Sequence, residues 1–222
     1  DQLRATFEAL DADDRVRIIV LRAEGEHFSS GGDIKGFLDA TPESVSKLAW
    51  NIAAPTRCTK PVIAANHGYC FGVGFEISLA CDFRIAAEST LYALPEQKLG
   101  QIPGSGGSAR LQKMVGITRT KDIVMRSRRI KGQQAYEWGV ATECVPDSEL
   151  ASAVSKLVDE LRAFSPLAQR TAKKMLNETE DCLLTTAIEV EGHCYSRLRN
   201  SDDFKEGVEA FHGKRQPNFV GY

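Results

Sequence analysis

Residues 61–86 carry the sequence PVIAANHGYCFGVGFEISLACDFRIA, which contains the clearest indication of the fold. Its apolar run at residues 61–66 predicts a buried strand, residues 72–80 predict a short helix after a glycine-containing turn, and residues 82–86 predict another strand. Strand, turn, helix and strand in this order are typical of parallel β/α units. The sequence therefore predicts an α/β protein, in which ligands collect at the carboxyl ends of the strands.

The pattern on either side of this stretch divides the chain into two parts. Upstream, it predicts a helix over residues 2–12, a strand over 15–22 and a helix over 42–54. Downstream it becomes mostly helical, with helices predicted over residues 108–115, 118–127, 132–138, 148–164, 166–177, 182–199 and 202–212. We therefore expect an α/β core over residues 1–143 and a helical region over residues 144–222.

Composition narrows the class of protein. The 222 residues are enough to bury a core, and the net charge of −2 comes from interspersed charges, which argues against a nucleic-acid surface. No apolar run is long enough to span a bilayer, so we expect no membrane segment. The six cysteines include no Cys-x-x-Cys pair and predict free thiols in a reducing, cytoplasmic setting. The scattered histidines predict no metal site.

Two glutamates are the candidate acid–base groups. Glu76 lies in an apolar helix, where a carboxylate is usually paired or functional. Glu96 follows Leu94-Pro95, and taken alone it is equally compatible with an ordinary loop carboxylate. Two carboxylates can supply a general acid and a general base, so together they indicate an enzyme.

Two glycine turns are the candidate binding elements. Gly31-Gly32 and Gly72-Val73 each follow a predicted strand, and taken alone each could be an ordinary strand-to-helix turn. As a pair, they could aim the N–H groups of Gly32 and Val73 at one developing oxyanion. The third glycine of a dinucleotide fingerprint is missing after Gly74, and no Gly-Lys-Ser/Thr motif closes either turn. A nicotinamide enzyme and a P-loop protein are therefore disfavoured.

In this order, these residues resemble the crotonase (enoyl-CoA hydratase/isomerase) superfamily over essentially the whole chain. The matching stretches include FSSGGDIK at 28–35, KPVIAA at 60–65, GYCFGVGFE at 68–76, PE at 95–96 and IPGSGGSARL at 102–111. The resemblance implies a crotonase-like spiral of β-β-α units, followed by a helical C-terminal trimerisation region. Members of this family begin with a further strand segment, so we expect the N-terminal edge of the core to be missing from this sequence.

The resemblance also implies partners and residue roles. It implies an acyl-CoA substrate, no cofactor apart from the coenzyme A of that substrate, and a homotrimer or a hexamer of two trimers. The N–H groups of Gly32 and Val73 would form the oxyanion hole, Glu76 would act as base on water, and Glu96 would handle the α-carbon proton. Substrate or CoA contacts are expected from Ser29, Ser30, Gly31, Asp33, Ile34, Phe37, Gly72 and Gly104.

Both glutamates together favour an enoyl-CoA hydratase, which adds water across the α,β double bond of the thioester. The alternatives are an enoyl-CoA isomerase or a CoA-ester carbon–carbon hydrolase of the same superfamily, and, less favoured, a non-catalytic or RNA-binding relative.

Two positions depart from the family pattern. Val73 stands where glycine is usual, which keeps the N–H but adds bulk. Ser29-Ser30 replaces small apolar residues, and ordinary turn chemistry is the expected role of their hydroxyls.

Overall fold

The computed structural model describes residues 1–222, apart from the side chain of Phe37. The first half contains α1 (Gln2–Ala12), β1 (Ile19–Leu21), a 3-10 helix (Ile34–Asp39), α2 (Pro42–Ile52), α3 (Ala54–Arg57), β2 (Val62–Asn66), β3 (Tyr69–Phe71), α4 (Val73–Ala80), β4 (Phe83–Ala87), β5 (Leu91–Ala93) and a second 3-10 helix (Pro95–Leu99). The second half contains α5 (Gly107–Met125), β6 (Ile130–Lys131), α6 (Gly132–Glu137), β7 (Glu143–Val145), a third 3-10 helix (Asp147–Glu149), α7 (Leu150–Arg162), α8 (Pro166–Thr179), α9 (Leu184–Leu198) and α10 (Asp202–Gly213).

Two small sheets form the centre of the fold. The first is parallel and has the strand order β1-β2-β4-β7. The second has the order β3-β5-β6, in which β3 and β5 are parallel and β6 is antiparallel to β5. β2 lies between two neighbours and is buried along its whole length, which accounts for its unbroken apolar run. β3 follows β2 directly, so the chain passes from one sheet to the other just before α4.

The structure confirms the predicted helices and the parallel strands, and it corrects the short elements. The sequence prediction missed β3, β5, β6 and β7, because strands of two or three residues are too short to show alternation. The two helices predicted over 108–127 are one helix, kinked at Gly116, where φ is 78° and ψ is 165°. The predicted division between residues 143 and 144 falls inside β7, which pairs with β4 of the first sheet.

Helix α4 is buried and bonded to strand residues. Seven of its eight residues are buried. The Ser78 hydroxyl donates to Asn66 Oδ1 at 2.8 Å, and the Tyr92 hydroxyl donates to the same oxygen at 2.9 Å. At the same C-terminal end of α4, the buried guanidinium of Arg84 donates to the carbonyls of Ser78 at 3.1 Å and Cys81 at 2.6 Å. The Arg84 bonds engage backbone carbonyls at the end of the helix, and together with the Ser78–Asn66 bond they fix the position of α4 in the core.

The last three helices present a different surface. Serine side chains cap two of them, with Ser165 accepting from the Ala168 N–H and Ser201 from the Phe204 N–H, both at 3.1 Å. They leave several large apolar side chains exposed, namely Leu176, Leu183, Leu184, Ile188, Tyr195 and Phe211. Exposed apolar surface of this extent is typical of interaction sites. Across the described part of the chain, no helix is both long enough and apolar enough to cross a membrane.

Candidate active site

The two glycine turns lie side by side. The chain before Gly31 runs along β3, with the Ser29 N–H donating to the Tyr69 carbonyl at 2.8 Å and the Phe71 N–H donating to the Ser29 carbonyl at 3.0 Å. Where these hydrogen bonds to β3 end, a Cβ atom built on Gly72 would lie 3.8 Å from the Gly31 Cα. The pairing with β3 therefore brings together two turns that are about forty residues apart in sequence.

The N–H groups of Gly32 and Val73 are available to a ligand. The neighbouring Gly72 N–H is already bound to the Ala93 carbonyl at 3.0 Å. Within the described residues, neither Gly32 nor Val73 donates its N–H to an acceptor. Val73 is the first residue of α4, where unpaired N–H groups and the positive end of the helix dipole favour negative charge. Its side chain packs against the main apolar core, so at least part of the added bulk faces inward.

Glu76 is buried and held by backbone donors. Its side chain projects from the first turn of α4, and the residue is only 3% exposed. Oε1 accepts hydrogen bonds from the N–H of Ser105 at 2.7 Å and of Gly107 at 3.0 Å. A Cβ on Gly107 would lie 2.9 Å from the Glu76 Cγ, so the close approach requires glycine there. These bonds engage Oε1 and leave Oε2 for a ligand.

Glu96 is partly buried but lacks backbone hydrogen bonds like those that hold the Glu76 carboxylate. It lies in the second 3-10 helix and is half-buried. Oε1 approaches the turn of α4, since a Cβ on Gly72 would lie 3.1 Å from it. Oε2 is buried and has no hydrogen-bond partner among the described residues. Burial raises the pKa of Glu96, and the nearby charge of Glu76 raises the same pKa further. The two glutamates and the two turns therefore belong to one site.

Ser29 has a local role in the turn. Its hydroxyl oxygen accepts a hydrogen bond from the Gly31 N–H at 3.2 Å, which is the turn chemistry expected from the sequence. The side chain also packs against α4, because a Cβ on Gly74 would lie 2.3 Å from the Ser29 Cβ. Ser29 thus fixes the first turn against the helix that carries Glu76.

The other predicted contact residues surround this centre or lie at its edge. Gly31 and Gly72 form the paired turns, whereas Ser30, Asp33, Ile34 and Gly104 are exposed. The Asp33 carboxylate accepts from the Lys35 N–H at 3.0 Å and so stabilises its own turn. The predicted contact from the Phe37 side chain lies outside what the structure describes. The assignment of these residues to substrate binding stays a prediction.

The sequence did not identify what holds Glu76. Ser105 and Gly107 belong to the stretch that resembles the family, but their N–H groups bind a carboxylate about thirty residues upstream. A signal was present in the paired glycines Gly106-Gly107 at the start of α5, since adjacent glycines permit a close backbone approach. The identity of the approaching group could not be inferred from it.

Neither of two cavities elsewhere in the molecule contains this chemistry. One, of about 560 Å³, lies between α4, α5 and α8, and the other, of about 500 Å³, lies among the last three helices. Neither cavity is lined by Glu76 or Glu96. The candidate site is therefore located by its carboxylates and backbone donors and not by the size of a cavity. Over the described residues, no group of three or more His, Cys, Asp or Glu side chains is placed to hold a metal ion.

Comparison with known proteins gives matches over almost the whole chain. A family model described as enoyl-CoA hydratase/isomerase matches residues 1–221. The probable mitochondrial enoyl-CoA hydratase 2 of Arabidopsis thaliana is 32% identical over 99% of this chain and 74% of its own length. A carnitinyl-CoA dehydratase of Salmonella enteritidis is 35% identical over 94% of this chain and 83% of its own length.

A solved structure gives the same result for the fold. The crystal structure of an enoyl-CoA hydratase from Bacillus anthracis superposes with a TM-score of 0.95. The superposition covers 100% of this chain and 88% of the Bacillus anthracis chain, and the two sequences are 33% identical. The superposition confirms the crotonase-like α/β fold that the sequence predicted.

Proposed function

We propose that this chain, which belongs to the enoyl-CoA hydratase/isomerase family, is a hydratase that adds water across the α,β double bond of an acyl-CoA thioester. One observation carries the proposal: two carboxylates in different environments lie beside two turns whose N–H groups have no acceptor among the described residues. Hydration needs a base for water, a proton for the α-carbon and stabilisation of an enolate oxygen, and this site offers a group for each.

The paired turns would polarise the thioester. Its carbonyl oxygen would accept from the N–H groups of Gly32 and Val73, which makes the β-carbon electrophilic. As water adds, negative charge grows on this oxygen, and the same two donors stabilise it. One such donor is typically worth about 10²–10³ in rate.

The two carboxylates would divide the proton transfers. Glu76, fixed through Oε1, would orient water with Oε2 and take one of its protons while the water oxygen bonds to the β-carbon. Glu96, whose pKa is raised by burial, would give a proton to the α-carbon. The product keeps the hydroxyl and the added hydrogen, and the proton left on Glu76 returns to Glu96 through solvent. Carboxylates in different environments commonly divide acid and base roles in this way.

The proposal includes the predicted partners. The substrate would supply coenzyme A, and the chemistry needs no further cofactor. A homotrimer, or a hexamer of two trimers, is supported by the exposed apolar side chains of α8–α10. The six cysteines have no disulfide partners, which supports the cytoplasm as the compartment, although the Arabidopsis relative is named as mitochondrial.

An isomerase is the second candidate. Moving a double bond requires one carboxylate that removes a proton and returns it to another carbon. Glu96 alone could do this, since Oε2 is buried without a partner among the described residues and would readily accept a proton. The family description includes both activities, so the two must be separated by experiment.

The experiment follows oxygen from ¹⁸O-labelled water into 2-enoyl-CoA and 3-enoyl-CoA esters by mass spectrometry. We expect the label in the product of the 2-enoyl esters, and we expect Glu96→Gln to lower kcat by about 10²–10⁴ while CoA-ester binding by calorimetry survives. Glu88→Gln, at an exposed turn, is the matched control and should keep full activity. A shifted double bond without label would indicate the isomerase, and near-normal hydration by Glu96→Gln would refute the assigned role.

A further inference from the structure

The loop that holds Glu76 lies between two charged side chains. On one side, the N–H groups of Ser105 and Gly107 donate to the Glu76 carboxylate. On the other side, Nη1 of Arg110 donates to the Ser105 carbonyl at 3.1 Å. Arg110 lies in the first turn of α5, directly after the loop. The loop therefore connects the carboxylate to a guanidinium that does not touch it.

The two glycines of this loop make room for the two charged groups. A Cβ on Gly106, where φ is +94°, would lie 2.2 Å from Nη1 of Arg110. A Cβ on Gly107 would lie 2.9 Å from Cγ of Glu76. Both distances are too short for a side chain, so each glycine allows one close approach. The loop therefore leaves room for the guanidinium of Arg110 as well as for the carboxylate of Glu76.

Arg110 is partly buried, and one of its two described hydrogen bonds reaches the loop. Its described hydrogen bonds go to the Ser105 carbonyl and, at 3.5 Å, to the Thr56 hydroxyl. Burial lowers the pKa of Arg110, and the negative charge of Glu76 works against this effect. An arginine stays charged in proteins and its planar fork is well suited to fixing a backbone carbonyl.

We propose that Arg110 is a positioning residue for the reaction at Glu76. It fixes the Ser105 carbonyl, so that the loop aims both N–H groups at Oε1 and leaves Oε2 directed at the attacking water. This inference rests on the proposed function, because it gives Glu76 the role of base. A displacement of about 1 Å in a reacting group can cost about 10² in rate, so a guanidinium outside the reaction centre can control turnover.

The first test is steady-state hydration of a 2-enoyl-CoA ester by Arg110→Met and Arg110→Lys. We expect Arg110→Met to lower kcat about 10–100-fold with KM changed less than about threefold, since the group acts on the base and not on substrate binding. Arg110→Lys should recover part of kcat, because it keeps one charged donor. Lys113→Met, one turn further along α5 and paired with the exposed Asp181, is the control and should match wild type.

The decisive test is a double-mutant cycle with Glu76→Gln. If Arg110 acts through Glu76, adding Arg110→Met to Glu76→Gln costs no further activity, whereas independent effects would multiply. Thermal melting checks that each variant folds, and Arg110→Lys replaces Arg110→Met in the cycle if the latter does not. Multiplicative losses, or a full-rate Arg110→Met, would overturn the positioning role. Hydration by wild type and its loss in Glu76→Gln test the proposed function separately.

Discussion

The surroundings of Glu76 and of Glu96 differ more than their shared chemistry suggests. Glu76 projects from a buried helix and has one carboxylate oxygen bound by two backbone N–H groups. Glu96 projects from a short 3-10 helix at the edge of the core, and one of its oxygens is buried without a partner among the described residues. The two side chains are close enough for the charge of one to raise the pKa of the other.

These different surroundings suit the two glutamates to the separate tasks proposed for them. Two fixed donors determine where the Glu76 carboxylate points, which suits a base that must orient water. A missing partner makes the charged form of Glu96 costly, which suits a group that carries a proton. The contrast follows from the supporting elements, since α4 is locked by Asn66 and Arg84 whereas the 3-10 helix ends in exposed residues.

Among substitutions that leave both carboxylates in place, a large effect on turnover is expected from breaking the hold on Glu76. In Gly107→Ala, the new Cβ would lie 2.9 Å from Cγ of Glu76 and 3.1 Å from Oε1, so the carboxylate or the loop must move. We expect kcat/KM for hydration to fall about 10²-fold, because misplacing a reacting group by about 1 Å has an effect of this order. Steady-state hydration assays at several substrate concentrations measure the loss.

Gly192→Ala is the matched control for this substitution. Gly192 lies in α9 with nothing within 4 Å of a built Cβ. Alanine is a better helix former than glycine, so this variant should keep full activity and melt at an equal or slightly higher temperature. Full activity in Gly107→Ala would show that the position of Glu76 is not critical, and the contrast between the two glutamates would then lose its functional meaning.

A smaller effect should appear in the stability of Glu96→Gln. The ionised carboxylate of Glu96 is partly desolvated, and a neutral amide of the same shape removes that cost. We expect the variant to be more stable than wild type near pH 7 by about 1 kcal/mol or less, since the half-exposed side chain is screened by solvent. Urea unfolding of wild type and Glu96→Gln measures this difference in the free energy of unfolding. The same variant should have lost its hydration activity.

The stability difference between Glu96→Gln and wild type should depend on pH in a defined direction. Folding raises the pKa of Glu96 above its ordinary value of 4.5, so the native state binds more protons than the unfolded state between the two values. Its contribution to wild-type stability is therefore present at low pH and is lost as pH rises through the raised pKa. The advantage of Glu96→Gln should be near zero below the ordinary value and grow above it. A difference that does not change with pH would contradict this account.

The different surroundings of Glu76 and Glu96 could be predicted from the sequence only in part. The apolar residues around Glu76 indicated a special carboxylate, and the long periodic helices were found with bounds close to those observed. Local periodicity could not show the short strand β5, which leads the chain to Glu96, because three residues give no reliable alternation. The paired turns needed the contact of residues 29–31 with β3, which depends on the whole fold.

The hold on Glu76 was the least predictable feature. It depends on hydrogen bonds to Ser105 and Gly107, which lie about thirty residues away, and on a glycine that permits the approach. Backbone donors carry no side-chain signature, so a sequence shows only that a close approach is possible there. The role of Arg110 is hidden for the same reason, since its partner is the carbonyl of Ser105.

The smallest effect is expected at a carboxylate that is well bonded but only partly buried. Glu206 accepts from Arg215 at 2.6 and 2.8 Å and from the Asn218 N–H at 2.6 Å. Hydrogen bonds from Arg215 lower its pKa to about 2. It therefore resembles Glu76 in its bonds and differs in its exposure to water, which separates the effect of bonding from that of burial.

Glu206→Gln should lower the melting temperature near pH 7 by only about 1–2 °C, because solvent screens a partly exposed ion pair, and it should leave hydration unchanged. The folded pKa lies below the ordinary value, so this contribution is present above about 4.5 and is lost as pH falls towards 2. That direction is opposite to the one expected for Glu96. Differential scanning calorimetry at low salt and at about 1 M salt, where the screening length is about 3 Å, checks the origin of the effect. A large loss that persists in high salt would mean that hydrogen bonding alone, without burial, is enough to make a carboxylate structurally important in this protein.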